Sequence, residues 1–258
     1  MRNVGRKLAF VLASSNHGTM IVNRLDYRMT GPETGSGVGF HLLEKACFEP
    51  VEGELAVQLL EQRRRIYGDG AIAIDCGANI GVHAVEWATA MTGWGSVIAI
   101  EAQERIYYAL AGNIAINNCF NAIAMHAAVS SEPGVMEVRI PDEFIGHAVD
   151  SADDKLVPIQ KITLDSLDLP RVDLIKLDIE GMQMEALAGA RRTLERCRPI
   201  LLIERIKAGR ELLRAWLNDC GYQAIETGFN ILALHKTDAI LTQLAPQDAP
   251  PEQSTAAA

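Results

Sequence analysis

Short apolar runs alternate along much of this chain with stretches whose apolar positions recur at helical spacing. That is the pattern of buried strands joined by amphipathic helices. Ile72 and Ile74 mark a strand that ends at Asp75, and Gly81, Ala84, Val85, Ala88 and Met91 mark the helix after it. A second strand, Val97–Ile100, ends at Glu101; Ile106, Leu110 and Ile114 form the next helix stripe, which stops at Asn117-Asn118. Residues 122–129 read as a third strand, 135–140 as a hairpin arm, 142–155 as polar and irregular, and 157–164 as extended. Leu174, Ile175 and Leu177 mark a central strand, and Met184, Leu187 and Leu194 one following helix, which Arg198-Pro199 breaks. Ile200–Ile203 forms another buried strand, ending in Glu204. A helix over 208–219 and a hairpin of 222–227 with 231–235 complete the pattern.

The rest of the chain is less regular. Leu8–Ala13 reads as a strand or short helix, residues 14–39 as irregular, and the glycine-rich 31–39 as a connector or lid. Leu55, Leu59 and Arg63 lie along one helix that Gly68-Asp69-Gly70 ends. The expected division is an N-terminal extension over 1–66 packed beside the sheet and a main domain over 67–236. An Ala/Pro/Gln/Ser-rich tail over 237–258 is expected to be disordered.

Composition narrows the function. A net charge of −9 argues against a nucleic-acid groove. Five cysteines without a C-x-x-C pair fit reduced thiols in the cytoplasm and not a zinc site, so no metal is assigned. Leu8–Ala13 is shorter than the ~7–15 residues of a signal-peptide core, and no apolar run approaches the ~20 of a membrane span. The expectation is a cytoplasmic protein with a small-molecule partner, no nucleic acid and no membrane; its oligomeric state is left open.

The chemistry centres on Asp75-Cys76-Gly77-Ala78-Asn79-Ile80-Gly81, a tight turn at the carboxyl end of a strand, where open α/β sheets bind ligands. Its spacing is not Gly-x-Gly-x-x-Gly, because an acid stands where a dinucleotide fingerprint has its first glycine. A carboxylate there suits a cationic ligand group: S-adenosylmethionine carries an ammonium and a sulfonium, whereas NAD carries two phosphates. Glu101, at the end of the following strand, stands where such folds place an acceptor for ribose hydroxyls.

Asp178, Glu180 and Glu204 also stand at strand ends, so in a parallel sheet they and the first two acids face one edge. A cationic cofactor, a hard metal ion or Lys176 would relieve their repulsion. The plain structural alternative makes one of Asp178 and Glu180 a helix cap and pairs the other with Lys176.

These blocks resemble the FkbM-type S-adenosylmethionine-dependent methyltransferases. The resemblance runs through Ile74–Gly81, Ile98–Glu101, Leu110–Asn117, Thr163–Leu167, Lys176-Leu177-Asp178-Ile179-Glu180-Gly181, Ala186–Ala190 and Arg198–Glu204, in the family's order. It implies a Rossmann-like class I methyltransferase sheet, mostly parallel with seven strands and an antiparallel last strand. It also implies O-methylation of a hydroxyl on a sugar or small natural product. By resemblance Asp75, Gly77, Asn79 and Gly81 shape the methionine and ribose end of the cofactor site, Glu101 takes the ribose hydroxyls, and Ala128-Val129 lie near the adenine. Location makes Asp178 or Glu180 the catalytic base, with His147 and His83 as outsiders. Ala102 and Gln183 depart from the family pattern, standing where proline and glutamate are usual. Gln183 supports the alternative of a cofactor-binding protein without turnover; a nicotinamide-dependent dehydrogenase is the other alternative.

Overall fold

The computed structural model describes residues 9–31, 34–140, 155–179, 181–204, 209–227 and 230–244. The chain opens with a hairpin of β1 (Phe10–Ser15) and β2 (Gly18–Asn23), then a two-residue pair, β3 (Arg28–Met29) with β4 (Gly35–Ser36). Helices α1 (Val38–Lys45) and α2 (Pro50–Tyr67) precede β5 (Ala71–Cys76), α3 (Val82–Ala90), β6 (Gly95–Glu101), α4 (Glu104–Ile116) and β7 (Ala122–His126). Then come β8 (Ala128–Val129), β9 (Gly134–Ile140), β10 (Lys155–Ile162), β11 (Leu174–Leu177), α5 (Gln183–Ala188), α6 (Arg191–Cys197) and β12 (Ile200–Glu204). The described chain closes with α7 (Arg210–Asp219), β13 (Tyr222–Thr227), β14 (Asn230–His235) and α8 (Ala239–Leu244).

Seven strands form the main sheet in the order β13-β14-β12-β11-β5-β6-β7. All run parallel except β14, which is antiparallel to both neighbours. This is the expected mostly parallel sheet with a reversed last strand. The strand order changes direction between β5 and β11, the position at which open α/β sheets leave a crevice. One face is covered by α2, α3, α4 and α8, with Leu60, Trp87, Leu110 and Ile240 buried against Ala73, Val97 and Leu202. The other face is covered by α5, α6 and α7 through Leu187, Leu194 and Leu213. A third cluster joins β2, α1 and α4 through Met20, Leu42 and Ile106.

Four segments differ from the sequence reading. Residues 18–23 are a strand and not irregular, because they pair antiparallel with β1, and on the other edge the buried Asn113 of α4 bonds to Ile21 with both polar atoms. The expected strand over 122–129 divides at Ala127, whose N–H bonds to Glu101 O; Ala128 and Val129 then pair with β10 in a second sheet. The expected single helix over 184–194 divides at Gly189, whose missing side chain lets Ser130 O approach. Asp165 then caps α6 by accepting from the N–H groups of Arg192 and Thr193 (3.0 and 2.8 Å). The start of the expected tail is built into the fold: α8 buries Ile240, and Asp238 pairs with the buried Arg63 of α2. Residues 245–258 lie outside the described residues, as does the irregular stretch with His147. All five cysteines are free, and among the described residues no helix is long and apolar enough to cross a membrane.

Candidate active site

Strand register brings the polar site together. Asp75 pairs with Lys176 on one side and Ala99 on the other, and Lys176 pairs with Leu202. Side chains alternate along a strand, so Glu101, Asp178 and Glu204, each two residues further on, share the face of Asp75 and Lys176. That is the α2–α4 face, apolar below these residues. The five side chains line one cavity of about 670 Å³, within the ordinary range of ligand sites.

Gly77 makes the turn possible. Its φ is +79°, and a Cβ there would run into the backbone carbonyl of Asp178. The glycine therefore serves close approach between β5 and the end of β11 as well as room for a ligand. Ile100 O accepts from the N–H groups of Gly77 and Ala78 (2.9 and 3.0 Å), which binds the turn to β6. Glu101 accepts from Asn79 N–H at 3.0 Å and Gln103 N–H at 2.7 Å, so one carboxylate fixes both loops. Burial nevertheless pushes its pKa up to about 7 against those bonds.

Asp75 is 1% exposed, and neither carboxylate oxygen has a hydrogen-bond partner among the described residues. Burial raises its pKa, although Lys176 and His83 draw it down. An unsatisfied buried carboxylate is costly unless something else completes it. Here it lines the cavity.

Lys176 is also buried, at 4% exposure, inside an otherwise apolar strand. Its Nζ lies 2.7 Å from Asp178 Oδ2 and 3.9 Å from Glu52 Oε1. Burial opposes its charge, but Asp178, Asp75 and Glu52 hold it protonated. Burial likewise opposes ionisation of Asp178, yet Lys176 and a hydrogen bond with Glu204 keep its pKa below the usual carboxylate value.

Of the residues expected in the site, Asp75, Gly77, Asn79, Glu101, Ala128, Val129 and Asp178 line the cavity. Gly81 does not; it precedes α3 and packs against Leu110. Glu180 lies outside the described residues. Gln183 is fully buried away from the cavity lining, so the departure there takes no carboxylate from the wall.

The N-terminal segment adds a wall: Ser36, Gly37 and Val38 belong to the stretch read as a connector or lid, whereas His41, Phe48 and Glu49 were missed by sequence reasoning. Sequence reasoning also undervalued His83, which is 5% exposed and stacks on Trp87. His83 Nε2 is 3.3 Å from Glu49 and 4.0 Å from Glu52, and its Nδ1 is 3.8 Å from Glu86. Burial works against its charge, but Glu49 and Glu86 push its pKa up to about 9. One ligand atom from each of Glu49, Glu52 and His83 would lie within 4.8 Å of the others, close enough for a metal ion. The carboxylates of Glu49 and Glu86 beside the ring favour a proton on His83, which a metal ion at this cluster would have to displace. The i, i+3 spacing of His83 and Glu86 was the available signal.

The Methyltransferase FkbM domain matches residues 75–224, more than half of the sequence. The chain belongs to the FkbM methyltransferase family. The match begins at the buried acid of the turn and ends in β13, so it contains the strand ends of the crevice but not the wall from the N-terminal segment. Among solved structures, the chain is similar to methyltransferase FkbM from Methylobacillus flagellatus KT (20% identity, TM-score 0.49, covering 64% of this chain and 44% of that one). It is also similar to the precorrin-6y C5,15-methyltransferase of Geobacter metallireducens GS-15 (15%, TM-score 0.45, 74% and 89%). A third similarity is to TYW2 of M. jannaschii, solved in complex with AdoMet (14%, TM-score 0.41, 89% and 86%). This chain thus spans less than half the length of the Methylobacillus protein. No curated protein matches it.

Proposed function

We propose that this FkbM-family chain is an S-adenosylmethionine-dependent O-methyltransferase acting on a hydroxyl of a sugar or other small molecule. The observation that carries the reading is Asp75: a buried carboxylate, unpartnered among the described residues, facing a cavity at the switch point of the sheet. It is a ready partner for a cationic ligand group. When bound, S-adenosylmethionine supplies a methyl group on a positively charged sulfonium. Asp75 would hold the ammonium, Glu101 the ribose hydroxyls, and the backbone of Ala128-Val129 the adenine edge. Anchored by two backbone N–H groups, Glu101 keeps lone pairs for hydroxyl donors.

Transfer to oxygen requires an aligned acceptor, exclusion of water and a group to take the hydroxyl proton. We assign that last role to Asp178, whose carboxylate is kept ionised by Lys176. Glu204, bonded to it, steadies its second side. The closing experiment is release of S-adenosylhomocysteine across a panel of hydroxylated acceptors, comparing wild type with Asp178→Asn. A general base is worth roughly 10²–10⁴-fold, so the variant is expected to bind S-adenosylhomocysteine normally and lose at least ~100-fold in turnover. Equal turnover in the two proteins would remove Asp178 from the mechanism.

A further inference from the structure

Glu49 has no assigned role in methyl transfer, and several features single it out. Its backbone is left-handed (φ 42°, ψ 52°), a conformation that costs a long side chain on the order of 1 kcal/mol or more and persists only where the surroundings enforce it. It stands at the N-cap of α2, where an acid ordinarily bonds to the first turn, yet its side chain makes no capping bond. The carboxylate lies instead on the cavity wall, with Oε2 3.3 Å from His83 Nε2 and the side chain 38% exposed.

The surroundings hold it there. His83 is fixed between Glu49 and Glu86 and stacked on Trp87. Phe48, the preceding residue, donates its N–H to His17 Nε2 at 3.1 Å, which ties the segment to the β1–β2 turn. The ring of Phe48 stands 5.9 Å from His83 and 6.0 Å from His41. One oxygen of Glu49 therefore has a fixed cationic neighbour, while the side chain stays open to the cavity.

The charge balance of the wall gives this meaning. Among the described lining residues, Lys176 is engaged by Asp178 and lies near Glu52, His83 lies between Glu49 and Glu86, and the ring of His41 packs between those of Phe40 and Phe48. A carboxylate or phosphate on the acceptor would meet the Glu49 carboxylate with Lys176 and His83 already engaged by acids. An N–H⁺ or O–H donor would gain a charge-assisted hydrogen bond.

We propose that Glu49 determines acceptor specificity: its carboxylate receives an N–H or O–H donor next to the methylated hydroxyl. It thereby favours hydroxylated acceptors that carry a protonated amine over those that carry a carboxylate or phosphate. This rests on the methyl-transfer reading and adds the charge class of the acceptor.

Glucose and two relatives that each differ from it in one substituent test it, glucosamine with an ammonium at C2 and glucuronic acid with a carboxylate at C6, titrated calorimetrically into the protein saturated with S-adenosylhomocysteine. Wild type is expected to bind glucosamine at least ten-fold tighter than glucose, and glucuronic acid most weakly. Glu49→Gln should flatten that order, and Glu49→Asp should keep it with weaker binding throughout. Both variants should bind S-adenosylhomocysteine like wild type, which reports an intact fold and cofactor pocket. The proposal is overturned if glucosamine binds no tighter than glucose, if none of the three binds, or if Glu49→Gln leaves the order unchanged. Failure of wild type to bind S-adenosylhomocysteine is a separate result and defeats the cofactor reading itself.

Discussion

Lys176 and Asp178 lie two residues apart at the end of β11, on the same face of the sheet, with Nζ 2.7 Å from Oδ2. The lysine is buried among apolar strands, so its charge is tolerated only because Asp178, Asp75 and Glu52 surround it. Removing one partner of a buried pair leaves the other charge uncompensated, at a cost of about 3–5 kcal/mol. Lys176→Met is therefore expected to lower stability by that order in urea denaturation. In surviving activity it should move the acidic limb of the pH–rate profile upward, because Asp178 loses what holds its pKa down. Asp178 contributes stability that is present above the ordinary carboxylate pKa and lost as the pH falls through its lowered native value. An acidic limb that stays in place in Lys176→Met would dissociate Lys176 from the ionisation of Asp178.

Glu101 gives a pH dependence of the opposite sign. Its native pKa is raised from 4.5 to about 7 by burial, so the folded state binds the proton more tightly than the unfolded chain. Stability of the ligand-free protein should thus fall as the pH rises from about 4.5 to about 7, by on the order of 3 kcal/mol from this group. Affinity for S-adenosylhomocysteine should rise over the same interval as the carboxylate becomes available. Glu101→Gln is expected to flatten the stability curve and weaken binding at every pH; chemical denaturation and calorimetry across pH 5–8 check both.

At Gly77 the prediction is steric. Alanine would place a Cβ against Asp178 O at a φ of +79°. Strain of this kind typically costs more than ~1 kcal/mol, and a backbone carbonyl cannot swing aside as a side chain can. Gly77→Ala should lower the melting temperature and weaken cofactor binding together. A stable variant with normal binding would show that the two strand ends can separate freely.

Away from the site, Arg63 of α2 holds the C-terminal segment through Asp238 and donates to Arg198 O at 2.9 Å. Arg63→Met leaves the buried Asp238 with the Ile240 N–H but no cation and should cost about 3–5 kcal/mol, while the double variant Arg63→Met/Asp238→Leu should recover much of that loss. Strictly additive losses in a double-mutant cycle would mean that the pair does not act as a unit.

Much of the site was legible because strands announce their ends. Asp75, Glu101, Asp178 and Glu204 each close an apolar run, and parallel pairing then brings them to one edge. Glu49, Phe48 and His41 gave no such signal; they reach the cavity from a segment that precedes β5, through contacts no local pattern encodes. His83 was obscured for another reason. It shares a helix with apolar residues, Glu86 three residues on is the one local hint, and only the tertiary placement of Glu49 completes the surroundings of the buried imidazole. The same holds for β2, which pairs with β1 along one edge and is held along the other by a side chain, Asn113, from a distant helix.

On the proposed reading, the crevice beside Asp75 takes a cationic, ribose-bearing cofactor. The most direct measurement is calorimetric titration of wild type and Asp75→Asn with S-adenosylhomocysteine, with NADH in parallel. Wild type should bind S-adenosylhomocysteine and not NADH, and Asp75→Asn should bind it at least ten-fold more weakly. Binding of NADH, or equal affinity of wild type and Asp75→Asn for S-adenosylhomocysteine, would contradict the account.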